Sequence, residues 1–233
     1  MNQYHVNTFK EAYGLIKELG ILPLANLIPD YPSMESITDK SSWHTGSEAD
    51  PWLWRARFPS EGLAAYGKFI KKKNVLISKE FLPYVHAVLG SNRSIKARYE
   101  AGLLSREASL LFNTIRENEG IDTRLLRKTA GMSDKEDKKK FDRGLVELQS
   151  SLDIVISGTK MKMNEEGEKN GWSSTSFESM SHWAQNQDIP LKKVDKEKAK
   201  KFLLNHFEAH STENGMKFLD KIFGLSKIES NSL

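Results

Sequence analysis

The chain has 233 residues, 38% of them hydrophobic and 28% charged, with a formal net charge of +4. That balance fits a globular protein and permits an anionic partner without demanding one. There is no cysteine, which excludes disulfides, thiolate metal sites and a cysteine nucleophile.

No apolar run approaches the roughly 20 residues of a membrane span, and Met1-Asn-Gln-Tyr-His5 lacks the charged and apolar regions of a signal peptide. The expected location is cytoplasmic, with no membrane partner, no metal and no cofactor. The charge is unevenly spread. Residues 1–50 hold three lysines against seven acids, whereas residues 51–99 hold ten Lys or Arg against two acids, a local net of +8.

Taken in order, residues 8–19 form an amphipathic helix with Phe9, Tyr13, Ile16 and Leu19 on one face and Gly20 at its end. Residues 21–32 are apolar with three prolines, which favours an extended lining over a helix. A polar loop with Trp43, His44 and Gly46 leads to Asp50-Pro-Trp-Leu-Trp-Arg-Ala-Arg57. Two tryptophans and two arginines within six residues suit a surface that stacks a base and meets phosphate. They equally suit tryptophans anchored in the core with arginines paired to acids. Trp43, Trp52, Trp54 and Tyr66 are the candidate stacking residues. Asp50 and Glu61 are the acids beside them, although Asp50 before Pro51 is placed to cap an amide and Glu61 to pair with Arg55 or Arg57. The run Tyr66-Gly-Lys-Phe-Ile-Lys-Lys-Lys73 follows, then Val75-Leu-Ile77. Ser78 is the expected cap of a helix over residues 79–89.

From Ser105 the pattern is helix, helix, helix, hairpin. Ser105 caps the first, with Ala108, Leu111, Phe112 and Ile115 inward and Gly120 at its end. Asp122 caps the second, with Leu125, Leu126 and Ala130 inward and Gly131 at its exit. Ser133-Asp-Lys-Glu136 has the spelling of a capping box for the third, whose face is Phe141, Leu145, Leu148 and Leu152. Ile154-Val-Ile156 and Met161-Lys-Met163 alternate around Ser157-Gly-Thr-Lys160, a hairpin signal. This is the order of a winged helix-turn-helix, whose third helix enters the major groove. Lys135, Lys138, Lys139, Lys140 and Arg143 lie on that helix, and Lys160 and Lys162 on the hairpin. Acids are interspersed, eleven Lys or Arg against ten Asp or Glu over residues 122–169, so a purely structural or protein-binding role is the alternative.

Residues 174–184 read as a helix with Phe177, Met180 and Trp183 in contact, and His182 as a surface or hydrogen-bonded histidine with no partner at a zinc spacing. Asp195 caps a helix over residues 196–209, and a last helix over residues 212–223 ends at Gly224. The expected fold is mainly α with a small β-ribbon. A winged helix-turn-helix at 105–172 is embedded between an N-terminal helical, Trp/Lys-rich segment at 1–104 and C-terminal helices at 173–233. No nucleotide-binding glycine loop, Gly-x-Ser-x-Gly or His-Glu-x-x-His occurs.

Several motifs together carry a resemblance: Trp43-His-Thr-Gly46, Asp50-Pro-Trp-Leu-Trp-Arg55, Glu61-Gly-Leu-Ala-Ala-Tyr-Gly-Lys-Phe69, Ile77-Ser-Lys-Glu-Phe-Leu-Pro83, residues 141–149, Ile156-Ser-Gly158 and Gly171-Trp172. With these the chain resembles AlkZ-related proteins, relatives of the AlkZ DNA glycosylases. The resemblance implies winged-helix modules and association with duplex DNA. It also exposes a departure. The glycosylases share a Gln-x-Gln or Gln-x-Asp motif near the N-terminus that acts on the attacking water, and residues 20–34 contain no glutamine. Gln185-Asn-Gln187 has the spelling but lies in a breaker near the other end.

The expected function is therefore a non-catalytic winged-helix DNA-binding protein, associated with DNA repair or regulation. Its contacts with double-stranded DNA would come from Arg55, Arg57, Lys68, Lys71, Lys72, Lys73, Lys138, Lys139, Lys140, Lys160 and Lys162. A DNA glycosylase or other base-processing enzyme using Asp50 or Glu61 is the first alternative. A winged-helix module binding protein or a small ligand through the tryptophans is the second.

Overall fold

The computed structural model describes residues 4–161, 173–191 and 194–226. About half of the residues are helical, and six strands form one antiparallel sheet. Helix α1 (Phe9–Leu19) opens with a reciprocal cap: the Thr8 hydroxyl accepts from the Glu11 amide, and the Glu11 carboxylate accepts from the Thr8 amide. Gly20, with φ of 73°, stops it and turns the chain into β1 (Ile21–Pro23). A Cβ at Gly20 would lie 2.4 Å from the Phe81 ring, so only glycine fits there. The buried Tyr31 hydroxyl donates to the carbonyls of Leu19 and Ile21 and ties the proline-rich segment over this turn. A single-turn helix α2 (Met34–Ile37) and a loop lead to α3 (Pro51–Ser60).

Strands β2 (Ala64–Ile70) and β3 (Lys73–Ser78) form a hairpin, and β1 pairs with the outer side of β3. Next come α4 (Leu82–Leu89), α5 (Ile95–Glu100), α6 (Arg106–Glu117), β4 (Ile121–Asp122), α7 (Thr123–Thr129), α8 (Lys138–Ser150), β5 (Ile154–Lys160) and β6 (Ser174–Ser179). Helices α9 (Met180–Asn186), α10 (Lys196–His210) and α11 (Glu213–Phe223) complete the chain. The strand order is β1-β3-β2-β5-β6-β4, so β2 and β5 weld the N-terminal hairpin to the later strands.

Side chains alternate across a strand, and β2 shows what lies on each face. Tyr66 is buried beside Arg55 of α3, whereas Gly67 faces Gln149 of α8. The two helices therefore cover opposite faces. Pairing with β3 slips between Gly67 and Ile70, which frees the Lys68 amide from the ladder. The buried Gln149 side chain takes it up: its Oε1 accepts from Lys68 N at 2.9 Å, and its Nε2 donates to the Leu145 carbonyl at 3.0 Å. A buried polar side chain here completes a bulge.

The fold departs from the expected one in several places, among them α3 and α5, which form helices in stretches not expected to be helical, and Leu125, expected inward but exposed. The sheet has six strands where a small ribbon was expected; β2 is buried on both faces and so lacks the alternation that marks a strand. The hairpin does not turn at Ser157–Lys160. A register shift between Ile156 and Gly158 lets β5 run straight through that stretch and pair with β6 instead. Ser174–Ser179, expected as helix, is that partner strand, and the Ser179 hydroxyl caps α9 by accepting from His182 N. The Ser133 capping box does not form. The Arg127 guanidinium donates to the carbonyls of Met132, Ser133 and Asp134, which holds this stretch as turns, and α8 starts at Lys138. Ser78 ends β3, and the next helix begins at Leu82, not Lys79. The other expected helix starts are found, with Ser105, Asp122, Asp195 and Thr212 each accepting from an amide of the first turn. No helix among the described residues is long and apolar enough to cross a membrane.

Candidate nucleic-acid interface

The site begins with the way Asp50 starts α3. Its carboxylate is buried and accepts from the amides of His44 (3.0 Å), Gly46 (2.9 Å) and Trp52 (2.9 Å). Pro51 at the first helical position supplies no amide of its own and is pre-set for the turn. One carboxylate thus caps the helix and folds the loop from residue 44 to 50 back onto it. This is the plain reading of Asp50, and it leaves little of the carboxylate free to hold a water.

The helix then presents two faces. Trp54 is 1% exposed, donates from Nε1 to the Glu48 carbonyl at 2.7 Å and meets the Phe9 ring edge-on. Phe58 stacks on Phe9 from the same side. Trp52, two residues earlier, is 38% exposed. The Arg55 guanidinium lies 3.6 Å above its ring, and the His44 ring packs 4.7 Å from it. Among the described residues no carboxylate stands within ion-pair distance of Arg55. Below it, burial pushes the Tyr66 phenol up, and the Arg55 charge opposes that shift. Trp43 is half-buried and donates to the Thr38 hydroxyl. The stack is therefore exposed His44 and Trp52 on a half-buried Arg55, with Tyr66 as its floor and Trp54 part of the core.

Arg57 behaves differently. It binds Glu61 at 2.5 Å and Glu48 at 3.0 Å and covers the Phe9 ring, so two carboxylates offset its charge. Glu61 first and Glu48 second hold its guanidinium above the usual arginine range. Glu61 is accordingly the partner of an arginine. Arg57 nonetheless lines a crevice of about 410 Å³ between α3 and the end of β5, with Leu53, Ser60, Thr159, Lys160 and Glu178. The structure thus brings Arg57 and Lys160, 103 residues apart in sequence, to one crevice. Ser60, Ser157, Ser176 and Glu178 were missed as neighbours of these cations, because the strand that carries two of them was read as helix.

The remaining lysines lie elsewhere. Lys71 and Lys72, with φ of 48° and 61°, form the two-residue turn between β2 and β3. Since Tyr66 pairs antiparallel with Ile156, this turn and Lys160 are at opposite ends of the sheet, about 30 Å apart at ~3.3 Å per residue. Lys73 opens β3 beside the turn, and Lys68 sits on the bulge against Gln149. Lys138, Lys139 and Lys140 occupy the first turn of α8, about 14–17 Å along that helix from Gln149. No single small patch holds all of these residues. Lys162 and residues 163–172 lie outside the described residues.

Among the described residues one group could hold a metal. Glu119, Glu178 and His182 bring a ligand atom each within 4.8 Å of one another, two carboxylates beside a histidine expected to have none. Glu119 was invisible as a partner because it is 59 residues from Glu178 in sequence and meets it only through the pairing of β4 with β6.

No curated protein and no solved structure matches this chain. A family model described as AlkZ related does, over residues 6–224, nearly the whole length. The Trp-Arg helix, the sheet and the helices on either side of it fall within that match, and the chain belongs to the AlkZ-related family, a relation of AlkZ-type DNA-repair proteins.

Proposed function

We propose that this protein binds duplex DNA without excising bases, using a winged helix-turn-helix formed by α6 to β6 with α3 as its flank. The observation that carries the reading is the order α6–β4–α7–α8–β5–β6, with the strands laid β5-β6-β4 beside one another. A three-helix unit closed by such a ribbon is a recurrent frame for placing a helix against DNA. Its boundary is better drawn at Ser179 than at residue 172, because β6 is the second strand of the ribbon. In this reading α8 offers Lys138, Lys139 and Lys140, the ribbon offers Lys160, and the exposed Trp52 ring, backed by Arg55, meets the strand alongside. Lys71, Lys72 and Lys73, at the far turn, reach only a longer duplex.

The non-catalytic half of the proposal rests on the two acids beside the tryptophans. A glycosylase must hold a water or stabilise a developing positive charge on the sugar beside a flipped base. Asp50 accepts from three backbone amides and Glu61 holds Arg57, so each has a structural task. Duplex affinity measured by fluorescence anisotropy is expected to fall with salt at a log–log slope near −0.9 per phosphate contact. An affinity indifferent to salt sinks the DNA reading. Incubation with alkylated and crosslinked duplexes followed by alkali is expected to give no strand breaks above the control. Breaks lost in Asp50→Asn or Glu61→Gln would restore the enzyme.

A further inference from the structure

We propose that Glu119, Glu178 and His182 form a binding site for one divalent transition-metal ion at the base of the β5–β6 ribbon. Three elements supply the ligands: the loop before β4, the end of β6 and the first turn of α9. His182 Nδ1 lies 2.9 Å from Glu178 Oε2 and 3.7 Å from Glu119 Oε2. Metal–oxygen and metal–nitrogen bonds of about 2.1 Å put neighbouring ligand atoms about 3.0–3.5 Å apart, so small side-chain shifts bring this set onto one ion.

Two further features fit a metal as well as a simple charge pair. The two carboxylates are 15% and 17% exposed, and neither forms an ion pair with a lysine or arginine among the described residues. Glu119 is also fixed in place: its oxygens accept from the Ser179 amide at 2.7 Å and the Ser179 hydroxyl at 2.5 Å. Such hydrogen bonds behind the ligands are usual in metal sites. Access comes through the crevice between α3 and β5, which Glu178 lines.

Two carboxylates and one imidazole suit Mn²⁺, Co²⁺ or Zn²⁺, with water completing the shell. The inference rests on these distances alone and stands whether or not DNA is bound. The test is calorimetric titration of the EDTA-stripped full chain with MnCl₂ and ZnCl₂, alongside the visible absorption of added Co²⁺. One saturable site of micromolar affinity is expected. His182→Ala and Glu178→Gln, each checked for an unchanged circular dichroism spectrum, should weaken it at least tenfold. His210→Ala should leave it intact, which separates this site from the stacked His206–His210 pair. No saturable binding below millimolar metal, or binding unchanged in His182→Ala, or lost in His210→Ala, overturns the proposal.

Discussion

Helices α3 and α8 cover opposite faces of β2, and they begin in opposite ways. The start of α3 is closed: the buried Asp50 carboxylate accepts three amides and neutralises the positive end of the helix dipole. The start of α8 is open: no side chain caps it, and its first three residues are Lys138, Lys139 and Lys140. Cations at a helix N-terminus add to the dipole's positive end, at a cost of a few tenths of a kcal/mol each. Asp137 offsets this only weakly, 3.8 Å from Lys140. The difference separates building from binding. At α3 the charge completes the fold, whereas at α8 the charge opposes the helix and is available to an outside anion. In the proposed function that anion is the DNA backbone.

The largest effect expected is on the closed side. Trp54→Ala removes a fully buried indole and its hydrogen bond, and should lower unfolding stability by about 3–5 kcal/mol in urea denaturation. Asp50→Ala leaves three amides without their acceptor and should cost about 3 kcal/mol. Stability unchanged in either variant would erase the contrast between the two helices. On the open side, replacing Lys138, Lys139 and Lys140 together by alanine should leave stability unchanged or slightly raised. The magnitude of the salt slope for duplex binding should fall by up to about 2.7, three contacts at ~0.9 each. An unchanged slope would place α8 away from the DNA. Trp52→Ala tests the exposed side of α3 itself. Loss of its base-stacking is expected to weaken single-strand or frayed-end binding by about 1–3 kcal/mol, with little change in stability.

The smallest effect is a shared dependence on pH. Burial is the main cause that lowers the pKa of both His86 and His206; the nearby His210 adds to the shift at His206, while Asp153 opposes it at His86. A histidine whose folded pKa lies below its unfolded one binds fewer protons folded than unfolded. Its contribution to stability is complete above about pH 6.5 and is lost as pH falls through the depressed folded value. The melting temperature should therefore fall on acidification below that point, and a His206→Gln variant should flatten part of the fall. A melting temperature that rises on acidification would contradict the burial of these rings.

Local signals were enough for five of the helices and their starts. Thr8, Ser105, Asp122, Asp195 and Thr212 cap the helices they precede, because a cap joins residues two or three apart. The failure at Ser133 is instructive, since the same spelling lost to Arg127, whose guanidinium takes three carbonyls from that stretch. Family membership was legible too, in the tryptophan and Tyr-Gly-Lys motifs. The two tryptophans of α3 were visible as a pair, but which one faces the core was not, since that depends on Phe9 from another helix and on the Glu48 carbonyl. What only the tertiary structure decided are the pairings between distant residues. They include the six-stranded sheet, the bulge at Gly67 completed by Gln149, the meeting of Arg57 with Lys160, and the Glu119–Glu178–His182 cluster. Such contacts follow from strand register and helix packing, which are set by the whole core at once, so no short window of residues contains them.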